Sequence, residues 1–185
     1  MNARDWDRLA AAYAAEVCDI FGRDRRHVIA RRLRDLGFRR GRKTVLDVGC
    51  GIGSFFKKFG RHFGEKTGTD HSRRMLKIAA ARCRGLPRCH WLQADVKKLP
   101  ATLHGRGDLV VCSNVITFVS AAACTRALAQ VVRCAGTGGW VMLVLPALES
   151  HDAVIAPDNG GGIAAARGRP AGFDRDDRIV AFQRG

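Results

Sequence analysis

One stretch constrains the fold more than any other: Thr44-Val45-Leu46-Asp47-Val48-Gly49-Cys50-Gly51-Ile52-Gly53-Ser54. It begins as a short apolar, β-branched run, the pattern of a buried strand. It then breaks into glycines at alternate positions, 49, 51 and 53. Residues without a Cβ let a loop turn tightly and let a ligand lie against bare backbone. Ser54 is placed to cap a helix over Phe55 to Phe63. A strand, a glycine loop and a helix N-terminus in that order make a nucleotide cradle at the carboxyl end of a parallel sheet.

The residue types in the cradle choose among nucleotides. The dinucleotide fingerprint G-x-G-x-x-G needs glycine where this chain has Ser54. Asp47, two residues before the first glycine, is a poor neighbour for an anionic pyrophosphate. It is a good one for a ligand that carries a cationic ammonium and sulfonium. The pattern D-x-G-x-G-x-G closely resembles motif I of the class I S-adenosylmethionine-dependent methyltransferases. The resemblance implies an α/β fold: a doubly wound, mostly parallel, Rossmann-like sheet in three α/β/α layers. It also implies S-adenosylmethionine as cofactor.

Strand and helix signals then alternate. Thr67 to Asp70 reads as a short second strand ending in an acid, and Ser72 caps a helix from Arg73 to about Arg84. An acid at this strand tip is placed to accept both hydroxyls of a ribose. The segment G-T-D-x-S resembles motif II, and Met75 follows His71 by one helical turn, in reach of an adenine. Cys89 to Gln93 reads as a third strand. The acid after it resembles motif III, which implies that Asp95 accepts from the adenine amine and that the Val96 N–H donates to the ring. Gly107 to Asn114 is a fourth strand resembling motif IV, with Ser113 and Asn114 beside the transferred methyl. A helix from Ser120 to about Ala135 presents Leu128, Val131 and Val132 inward and stops at Gly136. Gly138 to Pro146 is a fifth strand resembling motif V. Such alternation is the signature of a parallel sheet with right-handed crossovers. The resemblance implies a cofactor-binding set of Asp47, Gly49, Cys50, Gly51, Gly53, Asp70, His71, Asp95, Val96 and Asn114.

Ahead of this core, Trp6, Leu9, Ala10, Tyr13, Val17, Ile20 and Phe21 fall at helical spacing. The segment W-D-x-x-A-x-x-Y resembles the N-terminal helix that many small-molecule methyltransferases lay across the cofactor pocket. Tyr13 is then a lid residue, or else Trp6 and Tyr13 simply pack the helix on the sheet. Asp24 caps a second helix to Leu36. The chain thus divides into a helical cap (1–43), a cofactor-binding core (44–150) and a Gly/Arg-rich tail (151–185). The tail offers at most one edge strand, around Arg178 to Phe182, so the C-terminal strands of the sheet are expected to be incomplete.

The net charge of +15 raises a polyanionic partner such as RNA. The arginines are scattered and lack interleaved stacking aromatics, which favours solvated helix faces. The cysteines number seven, with no C-x-x-C, and Cys83, Cys89 and His90 have no second ligand pair to complete a zinc site. No metal is expected. No run of about 18 apolar residues suggests a membrane span, and no apolar signal core follows Trp6, so a cytoplasmic chain is expected. Thr117 and Phe118 stand where many relatives carry a histidine, so no general base is read there. His71, His151 and Tyr13 are the candidates near the pocket mouth. The N-P-P-F and Pro-Cys signatures of nucleic-acid base modifiers are absent. The reading is a methyltransferase acting on a small-molecule acceptor. The alternatives are an RNA or protein methyltransferase, or a non-catalytic S-adenosylmethionine-binding relative.

Overall fold

The structure, a computed structural model, describes residues 3–10, 13, 20–24, 26–39, 41–117, 120–145 and 179–184. Its strands are β1 (Thr44–Val48), β2 (Glu65–Asp70), β3 (Cys89–Gln93), β4 (Gly107–Ser113), β5 (Ala135–Val144) and β6 (Ile179–Gln183). They form one sheet in the order β3-β2-β1-β4-β5-β6. The first five are parallel to their neighbours, and β6 runs antiparallel along β5. This is the expected doubly wound, mostly parallel sheet. The strand order reverses between β1 and β4, and open α/β sheets bind ligands in the crevice such a switch creates.

The helices are α1 (Ala3–Leu9), α2 (Ile20–Arg23), α3 (Val28–Asp35), α4 (Ser54–Phe59), α5 (Arg73–Arg82) and α6 (Ala121–Cys134). Successive residues of a strand point to opposite faces, and β4 shows it. Leu109 and Val111 join a cluster with Phe21, Phe55, Phe56, Phe59 and Phe63 on one face. Val110 and Cys112 join Leu46, Val48, Ala127, Val131 and Cys134 on the other. A strand buried on both faces therefore reads as a continuous apolar run. Phe55 and Phe56 are fully buried, and each such side chain contributes roughly 1.5–3 kcal/mol.

Several boundaries differ from expectation. Gly53, not Ser54, occupies the N-cap of α4. Ser54 is the first helical residue, and its Oγ accepts from Arg82 Nη1 at 3.3 Å. α4 ends at Phe59, where Gly60 opens a 3₁₀ turn to His62; glycine is a weak helix former. Asp24 caps as expected, its carboxylate accepting from the Val28 and Ile29 N–H groups at 2.9 and 3.1 Å, but the helix starts only at Val28. In α6 the fully buried face is Ala127, Val131 and Cys134; Leu128 and Val132 are half-buried. Gly136 is no stop, because the chain passes directly into β5 at Ala135. The edge strand of the tail forms as β6. Its end is tied down by Gly138 N–H to Arg184 O and Arg184 N–H to Gly139 O, both 2.8 Å. Val17, Phe118, Pro146 and His151 lie outside the described residues.

Candidate active site

β1 delivers the chain into the glycine loop. Gly49 has φ of 74°, and a Cβ there would sit 2.2 Å from Val115 Cγ2. Gly49 is therefore required twice, by its left-handed backbone and by the close approach of the segment after β4. The N–H groups of Gly49 and Cys50 both donate to Thr69 O at 2.8 Å, which pins the loop to β2. Gly51, at φ of 51°, faces the cleft, and a Cβ there would meet the Tyr13 hydroxyl at 3.4 Å. Gly53 packs against α5, with Ala79 Cβ 3.1 Å and Cys83 Sγ 3.2 Å from where its Cβ would be.

Asp70 ends β2 and is 9% exposed. Its Oδ2 accepts the Gly51 N–H at 3.0 Å and its Oδ1 the Ser72 N–H at 2.8 Å. His71 Nδ1 lies 3.7 Å from the same carboxylate. Burial raises the Asp70 pKa, and the two N–H donors oppose that rise. Ser72 caps α5 as expected, accepting the Met75 N–H at 3.0 Å. Asp47 stands behind the loop, 2% exposed. Burial, then the charge of Asp70, pushes its pKa up to about 8.

Asp95 is exposed. Its Oδ1 accepts the Lys97 N–H at 2.8 Å in an Asx turn, and its Oδ2 lies 3.5 Å from Lys97 Nζ. Val96 beside it is buried. Asn114 follows β4 directly, in the left-handed region at φ of 54°, a conformation asparagine tolerates better than most residues. Its N–H donates to Val144 O at 2.8 Å.

These groups surround a cleft of about 760 Å³ at the carboxyl ends of the strands, within the usual range for a small-molecule site. Gly49, Gly51, Asp70, His71, Asp95, Val96 and Asn114 share its wall, joined by Trp6, Tyr13, Met75, Ser113 and Thr117. Asp47, Cys50 and Gly53 do not reach the wall. Cys50 is 7% exposed, its thiol pushed up by burial, with Sγ 3.0 Å from where a Gly68 Cβ would be. Trp6 and Tyr13 both line the cleft and pack in a small cluster with Ala10, Ile52 and Met75. Sequence reasoning missed Gln93, which donates from Nε2 to His71 O at 2.9 Å, and Lys97. It also gave Asp7 no role, although the W-D pair contained it.

A sheet of this order with a cleft at its switch point defines a doubly wound α/β protein with a ligand-sized site. The fold is shared with the N-methyltransferase NodS of Bradyrhizobium japonicum, solved with S-adenosyl-L-homocysteine. That likeness has a TM-score of 0.63 at 20% identity and covers 76% of this chain and 71% of that one. A family model for the methyltransferase domain matches residues 45–139, just over half of the chain, and the chain belongs to that family. Among curated relatives it is 31% identical over 102 residues to a ubiquinone biosynthesis O-methyltransferase of Leptothrix cholodnii, covering 54% of this chain and 42% of that protein. It is 33% identical over 103 residues to the protein of that name from Bordetella pertussis, covering 54% and 41%. The matched region thus spans less than half the length of these relatives. No helix among the described residues is long and apolar enough to cross a membrane.

Proposed function

We propose that this chain is an S-adenosylmethionine-dependent methyltransferase with a small-molecule acceptor. The observation that carries the reading is Asp70. Each of its oxygens accepts one backbone N–H, which fixes the carboxylate and leaves lone pairs for two ribose hydroxyls. The residues present fit the cofactor. Gly51 offers a face that a Cβ would fill, and the buried Asp47 stands behind the loop, where a bound ammonium group would draw its carboxyl into the ionised form. Asp95 and the Val96 N–H suit an adenine edge, and Cys50 and Gly53 shape the loop from behind. When bound, the cofactor supplies an electrophilic methyl on a cationic sulfur. The protein's part is position and exclusion of water. Asp70 and Asp95 orient, Trp6 and Tyr13 wall off solvent, and Asn114 borders the reacting end. Near Asn114 stand Val115 and Thr117, neither of which titrates near neutral pH.

The helical cap (1–43), core (44–150) and tail (151–185) remain our reading of the domains. The O-methyltransferase names of the curated relatives favour an oxygen acceptor. Among the described residues lining the cleft, the basic ones are His71 and Lys97. That sets the net charge apart from the site and favours a small acceptor over RNA. Free thiols at every described cysteine accord with a cytoplasmic protein. Calorimetric titration with S-adenosylmethionine, S-adenosylhomocysteine and NAD tests the cofactor. Micromolar binding of the two adenosyl ligands, lost in Asp70→Ala, supports the reading, and a folded protein that binds neither overturns it.

A further inference from the structure

Two carboxylates from different elements converge on Ser72. Its N–H goes to Asp70 Oδ1 at 2.8 Å, and its hydroxyl donates to Asp7 Oδ1 at 2.5 Å. Asp7 belongs to α1, and the same oxygen accepts the Arg74 N–H at 3.2 Å. The N-terminus of α5 is therefore capped twice. Ser72 takes the N–H of Met75, and a carboxylate brought in from another helix takes that of Arg74. Helix N-termini leave unpaired N–H groups and favour negative charge. The Ser72 hydroxyl, then the Arg74 N–H, holds the Asp7 carboxyl below its ordinary range.

The residues around Asp7 reach the cleft. The Trp6 indole meets His71 edge-on, with centroids 6.4 Å apart and planes at 89°. Trp6 also meets the Tyr13 ring at 6.1 Å, and the Tyr13 hydroxyl lies against Gly51. The N-terminal segment thus touches the cleft at both the glycine loop and the β2 tip. Its polar fastening lies at the edge of solvent: Asp7 is half-buried and its bond from Arg74 is exposed, while Ser72 is fully buried. A hydrogen bond to a charged group contributes little enough there to open and close.

We propose that Asp7 is a positioning residue, a latch that fastens α1 over the cleft through Ser72 and sets how fast a bound ligand escapes. The identity of that ligand rests on the cofactor reading above. Asp7 acts through Ser72, whose backbone holds the ribose-binding acid, so closure of α1 and the orientation of Asp70 are coupled at one residue.

The test uses Asp7→Ala, Asp7→Asn and the Asp7→Ala/Ser72→Ala pair in the full chain. Two readouts are taken: amide hydrogen exchange across α1 without ligand, and the dissociation rate of S-adenosylhomocysteine by stopped flow. Asp7→Ala is expected to speed exchange in α1 and to raise the dissociation rate about tenfold, the scale of a lost hydrogen bond to a charged group. Asp7→Asn, which keeps the oxygen acceptor without the charge, falls between. Adding Ser72→Ala to Asp7→Ala changes the dissociation rate little further, although it removes the Met75 cap and lowers the melting temperature. Unchanged α1 exchange in Asp7→Ala overturns the latch. So does faster exchange with an unchanged dissociation rate. A wild-type protein that does not retain S-adenosylhomocysteine defeats the cofactor reading instead, and the exchange measurement alone then decides the latch.

Discussion

Gly51 donates its backbone N–H to Asp70 Oδ2 at 3.0 Å. This bond joins the turn after β1 to the tip of β2, so the two parts of the cradle are one rigid unit. Asp70→Ala removes both the ribose acceptor and the partner of Gly51. It also destabilises the fold, because the buried N–H groups of Gly51 and Ser72 lose their acceptor at about 1–3 kcal/mol each, offset in part by relief of the carboxylate's desolvation. Affinity for S-adenosylhomocysteine is expected to fall about 30-fold or more, the scale of lost hydrogen bonds to a charged group, with a lowered melting temperature in a protein that still folds. Calorimetry beside a thermal melt checks both.

Gly49→Ala carries a steric and a backbone penalty together. The new Cβ would lie 2.2 Å from Val115 Cγ2, at a φ of 74°. Overpacking costs about 1–3 kcal/mol and the left-handed backbone roughly 1–2 kcal/mol more. Adding Val115→Ala should restore the steric part and leave the backbone part. Denaturant titration of the single and double variants reads the difference; equal destabilisation in both would show that Val115 is not the obstacle.

Asp47 makes the stability of the unliganded protein depend on pH. Its pKa rises from 3.8 to about 8 on folding, so the folded state holds a proton that the unfolded chain gives up. The contribution is fully present below about pH 4 and is lost as pH rises towards 8. The slope is at most about 1.4 kcal/mol per pH unit. Asp47→Asn should flatten that part of the profile. A cationic ligand favours the ionised carboxylate, so affinity should strengthen with pH over the same window and binding should release a proton. Titrations in buffers of different ionisation enthalpy count that proton.

β6 protects the edge of β5. Trp140 to Val144 pair with Gln183 back to Ile179, and Arg184 Nη1 donates to Arg133 O at 3.0 Å. Deleting 179–185 bares a strand whose Val141, Met142 and Leu143 form core, and bare edges recruit other chains. The truncated protein should elute as oligomers or aggregate in size exclusion with light scattering; a stable monomer would contradict this role.

Much of this was legible locally. The strands of the core and the acid at position 70 announce themselves by period and punctuation, and Ser72 by its place before a helical run. What the sequence hid lies in contacts between distant segments. Nothing local tells that Asp47 sits behind the loop and not on the cleft wall, since the alternation of β1 sets a face but not a depth. Asp7 and Ser72 stand 65 positions apart, and no periodicity links them. Val115 shows its importance only once it is seen pressing on Gly49. α4 starts one residue earlier than the serine suggests, because Gly53 takes the N-cap in the left-handed region, which glycine adopts without strain, and Ser54 enters the helix with its Oγ accepting from Arg82.

The chain contains one tyrosine, and it is the residue whose hydroxyl rests on Gly51. A single fluorotyrosine therefore gives one resonance from one place, at the mouth of the cleft. Occupancy and the opening of α1 become spectroscopically addressable in the native sequence, with no engineered probe and no assignment problem.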